Sequence, residues 1–509
     1  MDITWLFWLV AKLFGLLLFG IIALYLGREI IVYNNLLYFK KQGVKTVYIP
    51  FMGTTNLWRR SKGSHDQLAT ARQFFEDNKD EPLIMMNSNK MTMSSGFLLD
   101  ESLIKELLVK EIDCFKKIEF MKHCNLGFFF HNGQEVLESR AIYSEFFNYE
   151  NLKKMILLIN KEILIALSDF TQNNLAKDKY TKVHLKTFLQ EIFGNIVNSI
   201  LFGEEEKNLI NGESLPIVIQ NYVKEVFSII VSPINLLSLD YLHDEQILPK
   251  SRRMAQKRRE LEEACWQLYT KRQQQGPKAV PNLLDLLVQR NARLRAEGNQ
   301  VMTKSEIAGH FNLLQFAGSD TSLETSTSSF MLMSKQHNIQ DSFRKIVEEK
   351  LNGKSKSDLL TYDDLSDCEE LDQYINEFIR LCTPIPIIAP REFLKPLKLG
   401  KYQFRKGDRL LIPSSLLNTC SRYHTNPYEF DPSRFSPARL AGQSRVALGT
   451  FGFGKRTCVG KALGELIVKT TLVHFVRFVD IIPDPDYIEE KVFKLAYGYA
   501  NPTVLMKAI

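Results

Sequence analysis

A chain of 509 residues is long enough to bury a large core, and its 45% hydrophobic and 24% charged residues are ordinary globular values, which excludes a peptide hormone, a disordered chain or a collagen-like one. The seven Cys (Cys114, Cys124, Cys265, Cys368, Cys382, Cys420 and Cys458) are odd in number and contain no CxxC pair, so neither a zinc ribbon nor a secreted disulfide framework is indicated and a reducing compartment fits best. A net charge of +7 is mild for this length and does not call for nucleic acid.

Residues Ile3 to Leu26 are almost all apolar, with Lys12 the only charge. Fifteen of them are Leu, Ile, Phe or Val, each favouring insertion by about 0.3–0.6 kcal/mol against about 2.5–3.5 for one lysine, so the sum favours a bilayer. At ~1.5 Å per residue the stretch spans a ~30 Å hydrocarbon core. Trp5, Trp8 and Tyr25 stand towards its ends, where amphipathic rings prefer the interface. A cleaved signal peptide is the competing reading, but acidic Asp2 replaces a basic start and no small-x-small site follows. Arg28, Lys40, Lys41 and Lys45 beyond the stretch place the body in the cytosol by the positive-inside rule. The expected division is an anchor over 1–28, a hinge and entry segment over 29–50 that centres on Tyr48-Ile49-Pro50, and one catalytic domain over 51–509.

Helical periodicity then dominates: Leu103/Ile104/Leu107/Leu108, Leu152–Phe170, His184–Phe202, Leu284–Leu294 and a long stretch from Lys304 to Ser334. Pro249–Gln275 is densely charged and reads as a solvated helix with i,i+4 pairs. Strand-like text is confined to Lys45–Ile49, Ile385–Phe393, Leu397–Ile412 and the C-terminus. The expected class is mainly α with a small β part.

Near the C-terminus stands Phe451-Gly-Phe-Gly454-Lys-Arg456-Thr-Cys458-Val-Gly460, leading into helical text. Cys458 lies in a Gly-rich turn beside two cations and just before a helix N-terminus, both of which favour thiolate over thiol. Gly454 and Gly460 allow the backbone to approach a flat ligand. The bland alternative is a small buried apolar residue, the usual fate of a free Cys.

The pattern F-x-x-G-x-R-x-C-x-G resembles the haem-thiolate loop of the cytochrome P450 family in all its fixed positions. The resemblance implies the cytochrome P450 fold behind a single membrane helix, with Cys458 as axial ligand of the haem b iron and Phe451, Gly454, Gly460 and Arg456 around it. Glu377 and Arg380, with Arg434 in Phe430-Asp-Pro-Ser-Arg434-Phe, resemble the family's E-x-x-R and the arginine completing a structural triad. Ala317-Gly-Ser-Asp320-Thr321-Ser breaks helix preference in the middle of the long helix. Thr321 can bond back to the carbonyl of Ala317 and open the helix. The segment resembles the family's oxygen-binding groove, in which Asp320 and Thr321 would manage protons. Arg391 and Arg140 resemble the propionate-binding arginines, although Val136 stands where the family commonly has Trp.

The implied activity is monooxygenation of a lipophile (fatty acid, sterol or similar) with O2, using electrons from NADPH through a separate cytochrome P450 reductase, with cytochrome b5 as a further partner. Lys455 and Lys461 are cations that could steer an acidic reductase. The implied location is the endoplasmic reticulum membrane. Two alternatives stay open: an isomerase or dehydratase of an oxygenated lipid, which has no need of an Asp320–Thr321 relay, and a non-catalytic haem-binding protein. Phe115, Phe120, Phe316, Ala317 and Ile385 are candidate pocket residues that could equally be core.

Overall fold

The computed structural model describes residues 3–50, 53–58, 63–87, 94–110, 114–117, 125–130, 132, 134–174, 179–203, 209–210, 212–230, 249–278, 280, 282–441, 449–493 and 496–509. Its helices of ten residues or more are α1 (Ile3–Lys40), α2 (Gln134–Phe146), α3 (Tyr149–Asn174), α4 (Leu185–Phe202), α5 (Leu215–Ile230), α6 (Pro249–Gln275), α7 (Leu283–Ala296), α8 (Lys304–Lys335), α9 (His337–Lys350), α10 (Glu369–Leu381) and α11 (Lys461–Phe478). Their starts follow local chemistry. Thr303 and Glu306 form a reciprocal capping box at α8, and Asn282 accepts the Asp285 amide at α7.

A six-stranded mixed sheet carries β1 (Lys45–Val47), β2 (Leu83–Asn87), β3 (Ser94–Leu98), β4 (Phe115–Lys117), β5 (Ile388–Phe393) and β6 (Arg409–Ile412), in the order β1-β2-β3-β6-β5-β4. Strands β1 and β2 are parallel, as are β3 and β6, and the other neighbours run antiparallel. Near the C-terminus, Thr503–Ala508 pairs antiparallel with Val479–Pro483 on one side and with Thr181–His184 on the other. Strands β2 and β3 carry no alternation in the sequence because every residue of both is buried.

Among the described residues, buried apolar side chains form two cores. The larger is built from α3, α4, α8, α10 and α11; the smaller packs on the mixed sheet and takes in Leu36 and Phe39 of α1. The Cys458 loop lies where they meet: Phe451 and Val459 pack on the helical core and Phe453 on the sheet core.

Helix α1 continues without interruption to Lys40, well into the segment expected as a hinge. Its outer part is exposed from Phe7 to Leu24, whereas Arg28, Glu29, Val32, Leu36 and Phe39 are buried against the body. Ile49 is itself tied down, since its amide donates to Asn87 Oδ1 and its carbonyl accepts from Asn87 Nδ2. The physical reason is a change of helix environment: an exposed apolar surface becomes a core-facing stripe at Arg28, Val32, Leu36 and Phe39, and Gly27 at the junction is the one weak helix former there, with no proline.

Candidate active site

Residues 449–460 form a tight loop leading into α11. The Gly452 amide donates to the Gly449 carbonyl at 2.9 Å, and Gly454–Arg456 make one 3-10 turn. Thr457 returns both its amide and its hydroxyl to the Gly454 carbonyl, at 3.0 and 2.7 Å. The Cys458 amide closes the loop on the Phe451 carbonyl at 2.7 Å. Gly454 is required here twice over: its φ is +61°, and a β-carbon would stand 2.4 Å from the Leu108 carbonyl oxygen. Gly460 differs. A β-carbon there would meet only the Phe147 ring, at 3.9 Å, so the protein itself leaves room at this position. Cys458 is exposed, two residues ahead of the Gly460 cap of an 18-residue helix. The positive helix end therefore faces the sulfur.

Three guanidiniums surround the loop. Arg140, on α2, donates to the Thr457 carbonyl at 2.8 Å. Arg391, on β5, is 3% exposed and lies 5.4 Å over the Phe115 ring. Arg456 is in the loop itself. Burial and then the charge of Arg456 push Arg391 down to about 10. Burial and the charge of Arg140 likewise lower Arg456. Arg140 is lowered by burial, with Cys458 acting in the opposite sense. Half-buried cations that disfavour one another call for an anionic partner. With an exposed sulfur beside them, this donor set fits haem: Cys458 for the iron and Arg140, Arg391 and Arg456 for two propionates. Val136, in place of an aromatic partner on α2, is buried.

Helix α8 is buried along most of its length, but Ala317, Thr321, Glu324, Ser328 and Leu332 form a partly accessible stripe at helical spacing. Thr321 Oγ1 donates to the Ala317 carbonyl at 2.6 Å, as its spacing allows, yet the helix stays continuous from Lys304 to Lys335. The expected opening is absent because the hydroxyl shares the carbonyl without displacing the backbone. Gly318 has a packing reason as well: a β-carbon there would press on Val197 of α4 at 3.3 Å.

Asp320 is 8% exposed, its Oδ1 has no hydrogen-bond partner, and burial raises its pKa against the opposing charges of Lys224 and Lys186. Glu324, one turn on, is ion-paired with Lys186 and is also raised by burial. Beside them Gln190 donates to Gln220 Oε1 at 2.8 Å, and Gln220 donates to Ser319 Oγ at 2.9 Å. Sequence reasoning missed Glu324, Lys186 and Lys224. The i,i+4 spacing of Asp320 and Glu324 was the one available signal, since the lysines come from α4 and α5.

Glu377 and Arg380 are wholly buried on α10. Arg380 Nε and Nη2 donate to the two carboxylate oxygens at 2.6 and 2.7 Å. Arg434 Nε lies 3.4 Å from Glu377 Oε1 and the Asp431 amide donates to the same oxygen at 2.9 Å. Arg380 also donates to the carbonyls of Asn418 and Pro427, both at 2.7 Å, which fastens the segment before the Cys458 loop to α10. Among the pocket candidates, Phe115 is buried in the sheet core, Phe316, Ala317 and Ile385 are partly accessible, and Phe120 lies outside the described residues.

The cytochrome P450 family model matches residues 48–505. Cytochrome P450 6a9 of Drosophila melanogaster is 31% identical over 182 residues, 35% of each chain. Cytochrome P450 6j1 of Blattella germanica is 24% identical over 507 residues, covering 95% of this chain and 96% of the relative. Cytochrome P450 3A15 of Cavia porcellus is 26% identical over 202 residues, 40% of this chain and 39% of the relative. Cytochrome P450 4g15 of Drosophila melanogaster matches at 30% identity over 37% of its length, so the chain spans little more than a third of the more identical Drosophila relatives. A match over nearly the whole body, with the Cys458 loop folded between two cores, means that the chain belongs to the cytochrome P450 family.

Proposed function

We propose that this protein is a haem-thiolate monooxygenase that inserts one atom of O2 into a lipophilic substrate, with Cys458 as the axial ligand. The observation carrying this reading is the exposed Cys458 sulfur at a helix N-terminus, ringed by three guanidiniums whose charges disfavour one another. Bound there, haem supplies the redox chemistry, and an axial thiolate enriches its iron in electron density. The chain supplies the rest. Arg140, Arg391 and Arg456 would hold the propionates, and Phe451, Gly454, Gly460 and Ala317 would border the ring. Asp320, whose burial favours the protonated carboxyl, passes a proton towards the Thr321 hydroxyl, and the packed interior of α8 restricts bulk water. Glu377, Arg380 and Arg434 hold the loop and take no part in the chemistry.

Electrons come from NADPH through a separate reductase, with cytochrome b5 as a further partner. The outer part of α1 anchors the chain in the endoplasmic reticulum membrane with the body in the cytosol. It is long and apolar enough to cross a bilayer, and among its described residues no part of the most apolar window is buried in the protein. The test is spectral. Reduced, CO-bound protein should absorb at about 450 nm if a thiolate is the ligand, and Cys458→His should shift the band towards that of imidazole-ligated haem. An unchanged band in the variant overturns the ligand assignment. Product formation from a lipophile panel that stops without NADPH or O2 separates this activity from isomerisation and from simple haem binding.

A further inference from the structure

Asp320 is not alone on its side of α8. Glu324 stands four residues on from Asp320 and three on from Thr321, so its side chain neighbours both on the helix surface. Glu324 Oε1 is ion-paired with Lys186 of α4. Its other oxygen, Oε2, is buried without a hydrogen-bond partner, as is Oδ1 of Asp320. The side chains of Lys186 and Glu324 are 26% and 12% exposed, and Asp320 is buried, so the order Lys186, Glu324, Asp320 runs inward from solvent. The room for Glu324 comes from the strand Tyr497–Tyr499, which packs on α8. Its middle residue is Gly498, and a β-carbon there would run into the Glu324 carboxylate. The two tyrosines of that strand interact with Asp66, Arg72 and Glu489 instead. Among the described residues, the charged groups facing the two carboxylates are therefore Lys186 from α4 and Lys224 from α5.

A carboxylate oxygen kept from water without a donor is costly, and protonation removes that cost. Burial raises Asp320 against the charges of Lys224 and Lys186. Burial likewise raises Glu324 against the charge and hydrogen bond of Lys186, and the charge of Asp320 adds to the rise. Next to them the Thr321 hydroxyl has given its hydrogen to the Ala317 carbonyl, which leaves its lone pairs to accept one from Asp320.

We propose that Glu324 is the reloading acid of this site: it takes protons arriving from solvent past Lys186 and hands them to Asp320, so that the two carboxyls together hold the protons that one turnover consumes. The proposal rests on the monooxygenase reading above. Insertion of one oxygen atom into a C–H bond breaks O–O, forms C–O and O–H, and sends the second oxygen out as water. It takes two electrons, supplied by NADPH, and two protons, supplied by solvent. A single buried carboxyl delivers one proton and must be recharged before the second. A second carboxyl one turn away recharges it without opening the site to bulk water. Glu324 acts through Asp320 and is a positioning residue for the proton, whereas Asp320 and Thr321 face the reacting oxygen.

The test uses the full-length holoprotein and two readouts. In infrared pH titrations, Glu324→Gln should remove one buried protonated-carboxyl band, and Asp320→Asn should move the titration of the remaining carboxyl to lower pH, because a like charge is gone. In turnover, Glu324→Gln keeps a partner for Lys186 and the fit against Gly498 but carries no proton. It should slow product formation about tenfold, less than the ~10²–10⁴-fold of a group acting directly, with KM unchanged and a larger solvent isotope effect. Glu324→Asp should recover most of the rate. Loss of stability in Glu324→Gln matched by Lys186→Met, with kcat and isotope effect unaltered, makes Glu324 a structural ion-pair partner and overturns the proposal. So does an Asp320→Asn titration identical to that of the wild type, a result that stands even if Glu324→Gln fails to fold. Absence of any NADPH- and O2-dependent product in the wild type overturns the monooxygenase reading instead.

Discussion

Replacing Glu377 with Gln removes the one carboxylate that faces both Arg380 and Arg434 in a fully buried site. The side chains of Glu377, Arg380 and Arg434 are 0%, 1% and 3% exposed, so water cannot step in. Glutamine retains one acceptor oxygen, but its amide nitrogen then faces a guanidinium N–H, donor against donor. At least one of the two short bonds to Arg380 is lost, Arg380 loses its counter-charge, and Arg434 keeps only the more distant Asp431, at 4.0 Å. Breaking a buried pair in this way costs about 3–5 kcal/mol, a large share of the ~5–15 kcal/mol that holds a domain folded. Glu377→Gln should therefore lower the urea midpoint steeply and cut the yield of CO-binding protein, without moving the band position in what survives. A loss below about 1 kcal/mol, typical of an exposed pair, refutes the reasoning. The double variant Glu377→Leu/Arg380→Met sharpens the test. Replacing both charges by apolar groups can recover stability, but here it leaves the Asn418 and Pro427 carbonyls without Arg380, at about 1–3 kcal/mol each, so recovery should be partial.

Thr321→Ala should keep the thiolate-type spectrum and substrate binding but lose product per NADPH, releasing peroxide; the deficit should fall short of the ~10²–10⁴-fold of a full acid–base group, because the Asp320 carboxyl that feeds the hydroxyl is left in place. Unaltered coupling would move the proton role elsewhere. Gly454→Ala combines a positive φ, worth about 1–3 kcal/mol, with a contact to the Leu108 carbonyl that cannot relax without moving the loop, so holo-protein yield should fall severalfold. Normal yield would show that the loop adapts. His474 is buried, its Nε2 paired with Asn160 Oδ1 at 2.5 Å, and burial followed by the charge of Arg477 pushes it down to about 3. The unfolded chain binds this proton near pH 6.5 and the folded one does not, so stability is full above that pH and falls as pH drops from 6.5 towards 3, by about 1.4 kcal/mol per unit. His474→Gln should flatten that acid-side slope in denaturant midpoints measured from pH 7 to 5; an undiminished slope would assign it to other groups.

Local pattern carried much of the architecture. The helical period located α3, α4, α6, α7 and α8 to within a few residues, because each presents an apolar stripe or a dense set of i,i+4 charges. The spacing from Phe451 to Gly460 marked the loop, because its glycines and cysteine act through backbone geometry within ten residues. Long-range pairing was not legible. Strand β2 is a short apolar run ending in Asn87 and β3 opens on Ser-Ser-Gly, so neither shows strand alternation, and β3 lies beside β6, more than 300 residues away. The exposed or buried state of Glu377 and Arg380 was equally hidden, since an i,i+3 ion pair looks the same on a surface and in a core; Arg434 and the carbonyls around it come from elsewhere in the chain.

The sequence by itself determined most of the long helices, where an apolar helix long enough to cross a membrane lies and which loop brings a cysteine to a helix N-terminus. Each depends on contacts over a few residues or on composition alone. Tertiary structure decided that Arg140, Arg391 and Arg456 converge on one loop, that Asp320 shares its surroundings with Glu324, Lys186 and Lys224, and that α1 runs on to Lys40 with Leu36 and Phe39 packed into the sheet core. Charges from distant segments meet only when their elements pack, and an apolar helix continues beyond its exposed stretch when one of its faces finds a core to bury.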